Sequence, residues 1–187
     1  MNPPLQPELR FVPPGTLAPV DLPPGEIWLD VGGRADVGVL DHHGGDADEG
    51  SSCALVLAHH DDLLRPAAPD GARPALVLHA APDLDAIAAA WLVVQLLADP
   101  SRARDPAVRD LVRRIGESDQ GFASDVALRD DWIVVMKTRI ELAASDRERV
   151  TDGWKGLDET VTDLRAGHAL SEIARRLTTP QVRVVLT

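Results

Sequence analysis

The chain has one cysteine, Cys53, in 187 residues. A single thiol excludes an internal disulfide and any thiolate-rich zinc or iron–sulfur centre. No apolar run approaches the ~20 residues that span a bilayer. The longest, Ala86 to Ala98, is broken by Gln95. The N-terminus lacks the basic patch and apolar core of a secretory signal, so the expected compartment is the cytoplasm. Positive charge is also scarce: 19 Lys and Arg against 30 Asp and Glu give a formal net charge of −11. Long nucleic acid, which is gripped by basic stripes, is not an expected partner. A small anion held locally remains compatible with that charge. What is present, 44% hydrophobic and 26% charged residues, is the balance of a globular protein.

Eight of the fifteen prolines fall in residues 1–25, which are expected to form an extended surface arm outside the folding unit. Residues 26–187 are expected to form a single α/β domain, with 141–187 as a candidate small C-terminal appendage. Strands are expected at Glu26–Val31, Val37–Leu40, Ala75–Leu78, Asp131–Met136 and Val182–Leu186. Helices are expected at Ser51 to about Leu64, Ala86–Ala98, Pro106–Ile115, Asp158–Leu164 and Leu170–Leu177. Alternation of elements of these lengths argues for a mostly parallel sheet with helices on both faces.

Four groups of metal-type ligands fall at expected strand ends or nearby turns. They are Asp30, then Asp41-His42-His43, then His79 with Asp83 and Asp85, then Asp119. In a parallel sheet the C-terminal strand ends share one edge, so groups distant in sequence can converge there. Carboxylates with imidazoles and no thiolate suit manganese, magnesium, zinc or iron(II). Each residue also has a plainer reading. Asp30 and Asp119 can serve turns, and Asp83 or Asp85 can cap the helix that follows. Adjacent histidines seldom serve packing alone.

With these residues the chain resembles the DHH phosphoesterase superfamily, which includes RecJ-type exonucleases, nano-RNA phosphatases and family II pyrophosphatases. His79, Asp83 and Asp85 match its His-x-x-x-Asp-x-Asp motif. Asp30 matches its lone strand-end aspartate, and Asp41-His42-His43 its eponymous triplet. Ser51-Ser52-Cys53-Ala54 is similar to the small-residue helix start after the triplet, and Asp119 to the fourth-motif aspartate. The run from Asp30 to His43 especially resembles the melanocyte-proliferating-gene type of exonuclease. The likeness covers roughly residues 26–122. The His79–Asp85 segment follows the triplet here, where the family places it first, so the resemblance implies a circularly permuted motif order. His42-x-x-x-Asp46-x-Asp48 fits the first-motif spacing as well; His79 is preferred because it follows a clean buried strand.

The resemblance implies two divalent metal ions, most readily Mn2+ with Mg2+ as the alternative. One would be held by His79, Asp83 and Asp30, the other by Asp85, His42, Asp119 and the shared Asp30. His43 would lie beside the substrate phosphate or behind the metal ligands, Asp41 would orient a histidine, and a metal-activated water would be the nucleophile. The implied activity is hydrolysis of a phosphoester or phosphoanhydride in a small phosphorylated substrate or short oligonucleotide. The residues after Glu141 are too few for the family's closing domain, which implies a small substrate or a site completed in a homodimer. The alternative is a non-catalytic relative that senses a ligand or joins an assembly.

Other polar clusters have plainer readings. His59-His60-Asp61-Asp62 reads as an exposed helix end, His168 as surface, and Arg113, Arg114, Lys137 and Arg139 as solvated charge. Trp28, Trp91, Trp132 and Trp154 read as core.

Overall fold

The computed structural model describes residues 6–44, 50–68, 73–121 and 131–178. It is an α/β fold built on a five-stranded, mostly parallel sheet. The strands are β1 (Glu8–Val12), β2 (Glu26–Leu29), β3 (Ala35–Asp36), β4 (Val39–Leu40) and β5 (Ala75–His79), in the order β1-β5-β2-β4-β3. β1, β5, β2 and β4 run parallel, and β3 pairs antiparallel with β4. The C-terminal ends of β2, β4 and β5 therefore open on one edge, where Asp30, Asp41 and His79 fall.

Strand alternation sorts the apolar side chains between two cores. Ile27, Leu29, Leu40, Leu76 and Leu78 enter the larger core with residues of all six α-helices. Trp28, Val39 and Val77 point the other way, into a smaller cluster with Val31 and Ala18. That smaller cluster contains no helical residue. The expectation of helices on both faces is corrected accordingly. Among the described residues, the second face is covered by the proline-rich segment.

Residues 6–25 are part of the folding unit and not only the extended surface arm expected for residues 1–25. Glu8–Val12 is a strand paired with β5 from Glu8↔Ala75 to Val12↔His79. Pro7 and Pro13 flank it without entering it, as an edge strand permits. Leu9 and Phe11 pack on the larger core, and Arg10 reaches the Glu26 carboxylate at 2.7 Å. Further along, Ala18 is buried and Leu22 packs beside it. The Arg34 guanidinium donates to the carbonyls of Ala18 and Pro19 at 2.8 and 2.7 Å, clamping the cover in place.

The helices are α1 (Ser52–His59), α2 (Leu84–Ala98), α3 (Pro106–Asp119), α4 (Asp131–Glu141), α5 (Asp146–Arg165) and α6 (Leu170–Thr178). α1 runs on into a π-helical turn at His60–Leu64. α2 is the central helix, and its N-cap Asp83 accepts the Ala86 N–H at 3.0 Å. No helix among the described residues is long and apolar enough to cross a membrane.

The strand expected at Asp131–Met136 is instead the first half of α4. Its Val-Val pair favours a strand locally, but burial follows a helical stripe through Trp132, Ile133, Met136 and Ile140, while Val134 is exposed. Trp132 is tied down by a 2.9 Å hydrogen bond from its indole N–H to Thr160 Oγ1 of α5. α5 itself begins twelve residues before the expected Asp158, with Ser145 as its N-cap. Gly153 and Gly156 obscure this helix in the sequence. A Cβ on Gly153 would lie 2.5 Å from Ile87 Cγ2, so close packing on α2 requires the glycine. α6 lies where it was expected. The Val182–Leu186 strand falls outside the described residues.

Candidate metal centre

The site assembles at the strand ends from the backbone outward. Asp30 follows β2 and takes a left-handed conformation, φ 59°, which is uncommon outside glycine. Such strain tends to collect at functional positions. The carboxylate is buried and faces several donors at once. Ser52 Oγ donates to Oδ1 at 2.9 Å, His42 Nε2 lies 3.3 Å from Oδ1, and His79 Nε2 lies 3.3 Å from Oδ2. Asp30 thus bridges the triplet and the segment after β5.

Asp85 sits in the first turn of α2 and is almost fully buried. Its oxygens accept the backbone N–H groups of Ser52 at 2.7 Å and Cys53 at 3.0 Å, closing the N-terminus of α1. Asp119, the last residue of α3, stands 3.4 Å from His42 Nε2. α3 reaches that far because it extends past the expected Ile115 through Gly116. A Cβ there would come within 2.9 Å of Ser51 Oγ. The small residue lets α3 close against the start of α1.

Three sets of donor atoms could hold a metal ion, each with its atoms within 4.8 Å of one another. They are Asp30 with His79 and Asp83, His42 with Asp85 and Asp119, and Asp30 with His42 and His43. All six residues expected as metal ligands are therefore brought together at one strand edge. Asp83 contributes while also capping α2, so its two readings coexist. Asp46 and Asp48 of the alternative motif lie outside the described residues.

Asp41 and His43 form an adjoining pair. His43 Nδ1 is 2.8 Å from Asp41 Oδ1, and the His43 backbone N–H donates to that same oxygen at 3.0 Å. The other Asp41 oxygen accepts the Gly33 N–H at 2.7 Å. Asp41 is buried, whereas the His43 side chain is 64% exposed. Held in this way, the imidazole has a fixed orientation with its second nitrogen available.

Electrostatics mark the cluster as short of positive charge. Burial pushes Asp85 up to about 7, and the neighbouring charges of Asp30 and Asp119 add to that. Burial also raises Asp119. For Asp30, burial acts upward but is outweighed by hydrogen bonds from His42, His79 and Ser52, which hold it at about 2. The hydrogen bond to Asp30 lifts His42 and His79 each to about 9 against the opposing effect of burial. The two raised imidazoles, when protonated, offset part of the carboxylate charge gathered here. The oxygen and imidazole donors fit a divalent cation.

A cavity of about 660 Å³ adjoins the centre. Asp30, His43, His79 and Asp83 stand on one side of it, with Pro14, Leu17 and the Gly32-Gly33 backbone among its walls. Among the described residues its lining includes no lysine or arginine. A larger groove lies elsewhere and touches none of the candidate ligands.

No family model, curated protein or solved structure matches this chain.

Its site is therefore read from its own geometry. Sequence reasoning passed over the hydrogen bond from Ser52 to Asp30 and the backbone donors of Cys53 and Gly33. The signal for the first two was the polar, small-residue start of α1. The cavity wall from Pro14 to Leu17 had no recognisable signal. Among the residues set aside, Trp28, Trp91 and Trp132 are core and Trp154 is half-buried. Arg113 and Arg114 pair with Asp110. Arg139 pairs with Glu159, and His168 lies 3.3 Å from Asp163. Lys137 donates to Ser118 Oγ at 3.1 Å.

Proposed function

We propose that this protein is a divalent-metal-dependent phosphohydrolase of the DHH type, with its motifs in permuted order. The observation that carries this reading is the Asp30 carboxylate, whose two oxygens face His42 and His79, one from each of two donor sets. A carboxylate so placed suits a bridging role between two cations, most readily Mn2+. His79, Asp83 and Asp30 would hold one ion, and His42, Asp85, Asp119 and Asp30 the other. Ions bound there would supply Lewis-acid charge to a phosphoryl group and lower the pKa of water.

The protein's own groups do the rest. Asp41 fixes the His43 ring so that its free nitrogen can hydrogen-bond or protonate a phosphate oxygen. Ser52 and the start of α1 orient Asp30 and Asp85. Among the described residues the cavity walls supply shape without cationic side chains. That favours a substrate of low charge, a phosphodiester within a small molecule or short oligonucleotide, over a polyanion.

The test is manganese-dependent hydrolysis of bis-p-nitrophenyl phosphate, together with elemental analysis of the purified protein. Turnover that needs metal and disappears in His42→Ala supports the proposal. The second reading is a metal-dependent ligand sensor, in keeping with the lack of lysine or arginine among the described residues of the cavity wall. Stoichiometric metal binding without turnover on diester and monoester panels would select it.

A further inference from the structure

We propose that the groove between α1, α3 and the 3-10 turn at Pro100–Arg104 is a second binding site, for an organic phosphate such as a nucleotide. This groove encloses about 990 Å³, at the upper end of the volumes that hold small ligands. It is separate from the metal centre and does not depend on the activity proposed for it. Arg109 lies ten residues, about 15 Å of helix, before Asp119.

Its lining combines two features. The more buried part of the lining is apolar, with Leu57, Ala103 and Val112. The rim carries Arg65, Arg104, Arg109 and Arg113 against only two carboxylates, Asp61 and Asp110. This local excess of positive charge arises in a chain whose net charge is −11. Asp61 faces Arg65 at 3.4 Å, and Asp110 faces Arg113 at 2.7 Å. Arg104 and Arg109 are exposed, and neither side chain has an ion-pair or hydrogen-bond partner among the described residues.

Guanidinium groups recognise phosphate oxygens through paired N–H donors, and an apolar floor accepts the face of a ring. Together they fit a molecule with one flat apolar end and one anionic end. His60 and Asp61, from the π-helical turn, also line the groove, and such turns are frequent at functional sites.

The experiment is fluorescence anisotropy of a mant-labelled ADP with the full chain in EDTA. EDTA removes any divalent cation that could draw phosphate to the metal centre, and the Asp30→Asn variant reports on what remains there. Saturable binding is expected, competed by ADP and much less by inorganic pyrophosphate or adenosine. The exposed double variant Arg104→Glu/Arg109→Glu is expected to weaken it by at least about tenfold, the order of one lost charge-assisted contact. Ala58→Trp, which places a bulky ring at the exposed edge of the groove, is expected to do the same, while Asp30→Asn binds normally. No binding up to millimolar probe, or equal binding by the double variant, would overturn the site. Loss of binding in Asp30→Asn would place the probe at the metal centre and overturn it too. Competition by pyrophosphate equal to that by ADP would eliminate the organic half of the ligand. Metal binding and diester hydrolysis by the double variant are expected to be unchanged, so failure here is distinguishable from failure of the phosphohydrolase reading.

Discussion

Asp30 and His79, 49 residues apart, meet with the imidazole Nε2 3.3 Å from the carboxylate Oδ2. Asp30 follows β2 and His79 ends the neighbouring parallel strand β5, so the pairing of those strands sets their separation. The contact makes Asp30 the first residue to test. Asp30→Asn keeps the side chain's size but removes the charge that faces both donor sets. Manganese affinity, measured by isothermal titration calorimetry, is expected to fall at least about 100-fold. Unchanged affinity would remove Asp30 from the ligand set.

The two histidines give the metal-free protein a pH signature. Their folded values of about 9 exceed the ordinary 6.5. Protonated imidazole therefore stabilises the fold fully below about pH 6.5, and the contribution is lost as pH rises through about 9. Thermal unfolding in EDTA is expected to show a falling Tm across that window. His79→Ala is expected to flatten the slope. A Tm that rises from pH 7 to 9 would contradict the assignment.

Asp85 has a structural duty separate from any cation. It accepts two N–H groups at the start of α1, and Asp85→Ala leaves both buried without a partner. Urea denaturation in EDTA is expected to show a loss of about 1–3 kcal/mol. A neutral effect would mean that the desolvation of this acid outweighs its hydrogen bonds.

Gly44 ends the 3-10 turn that carries His42 and His43. A Cβ there would meet Arg34 Cα and Gly33 O, each at 2.6 Å. Both are backbone atoms that cannot swing aside. Gly44→Ala is expected to displace the turn and lower manganese affinity at least tenfold, with a loss of about 1–3 kcal/mol in stability. Calorimetry and urea denaturation read the two effects separately.

The centre was legible in the sequence because its residues sit where strands end, and strand ends of a parallel sheet meet. Asp30, Asp41 and His79 each follow a short apolar run that periodicity detects. Asp119 was harder, since it depends on α3 continuing through Gly116, a residue that reads as a helix stop. α4 was misread because Val134-Val135 favours a strand locally, while the packing of Trp132 and Met136 against α5 decides for a helix. The N-terminal strand was hidden by its prolines, which flank Glu8–Val12 without interrupting it.

That strand has a practical consequence. β1 occupies the outer side of β5, and the residues after it wall the cavity and cover the sheet's second face. A shortened chain starting at residue 26 would expose the hydrogen-bonding edge of β5 and the apolar side chains of Trp28 and Val77 together. An open edge beside an uncovered face invites strand addition from another molecule. Trimming the proline-rich leader is therefore expected to yield aggregates in place of a smaller working domain.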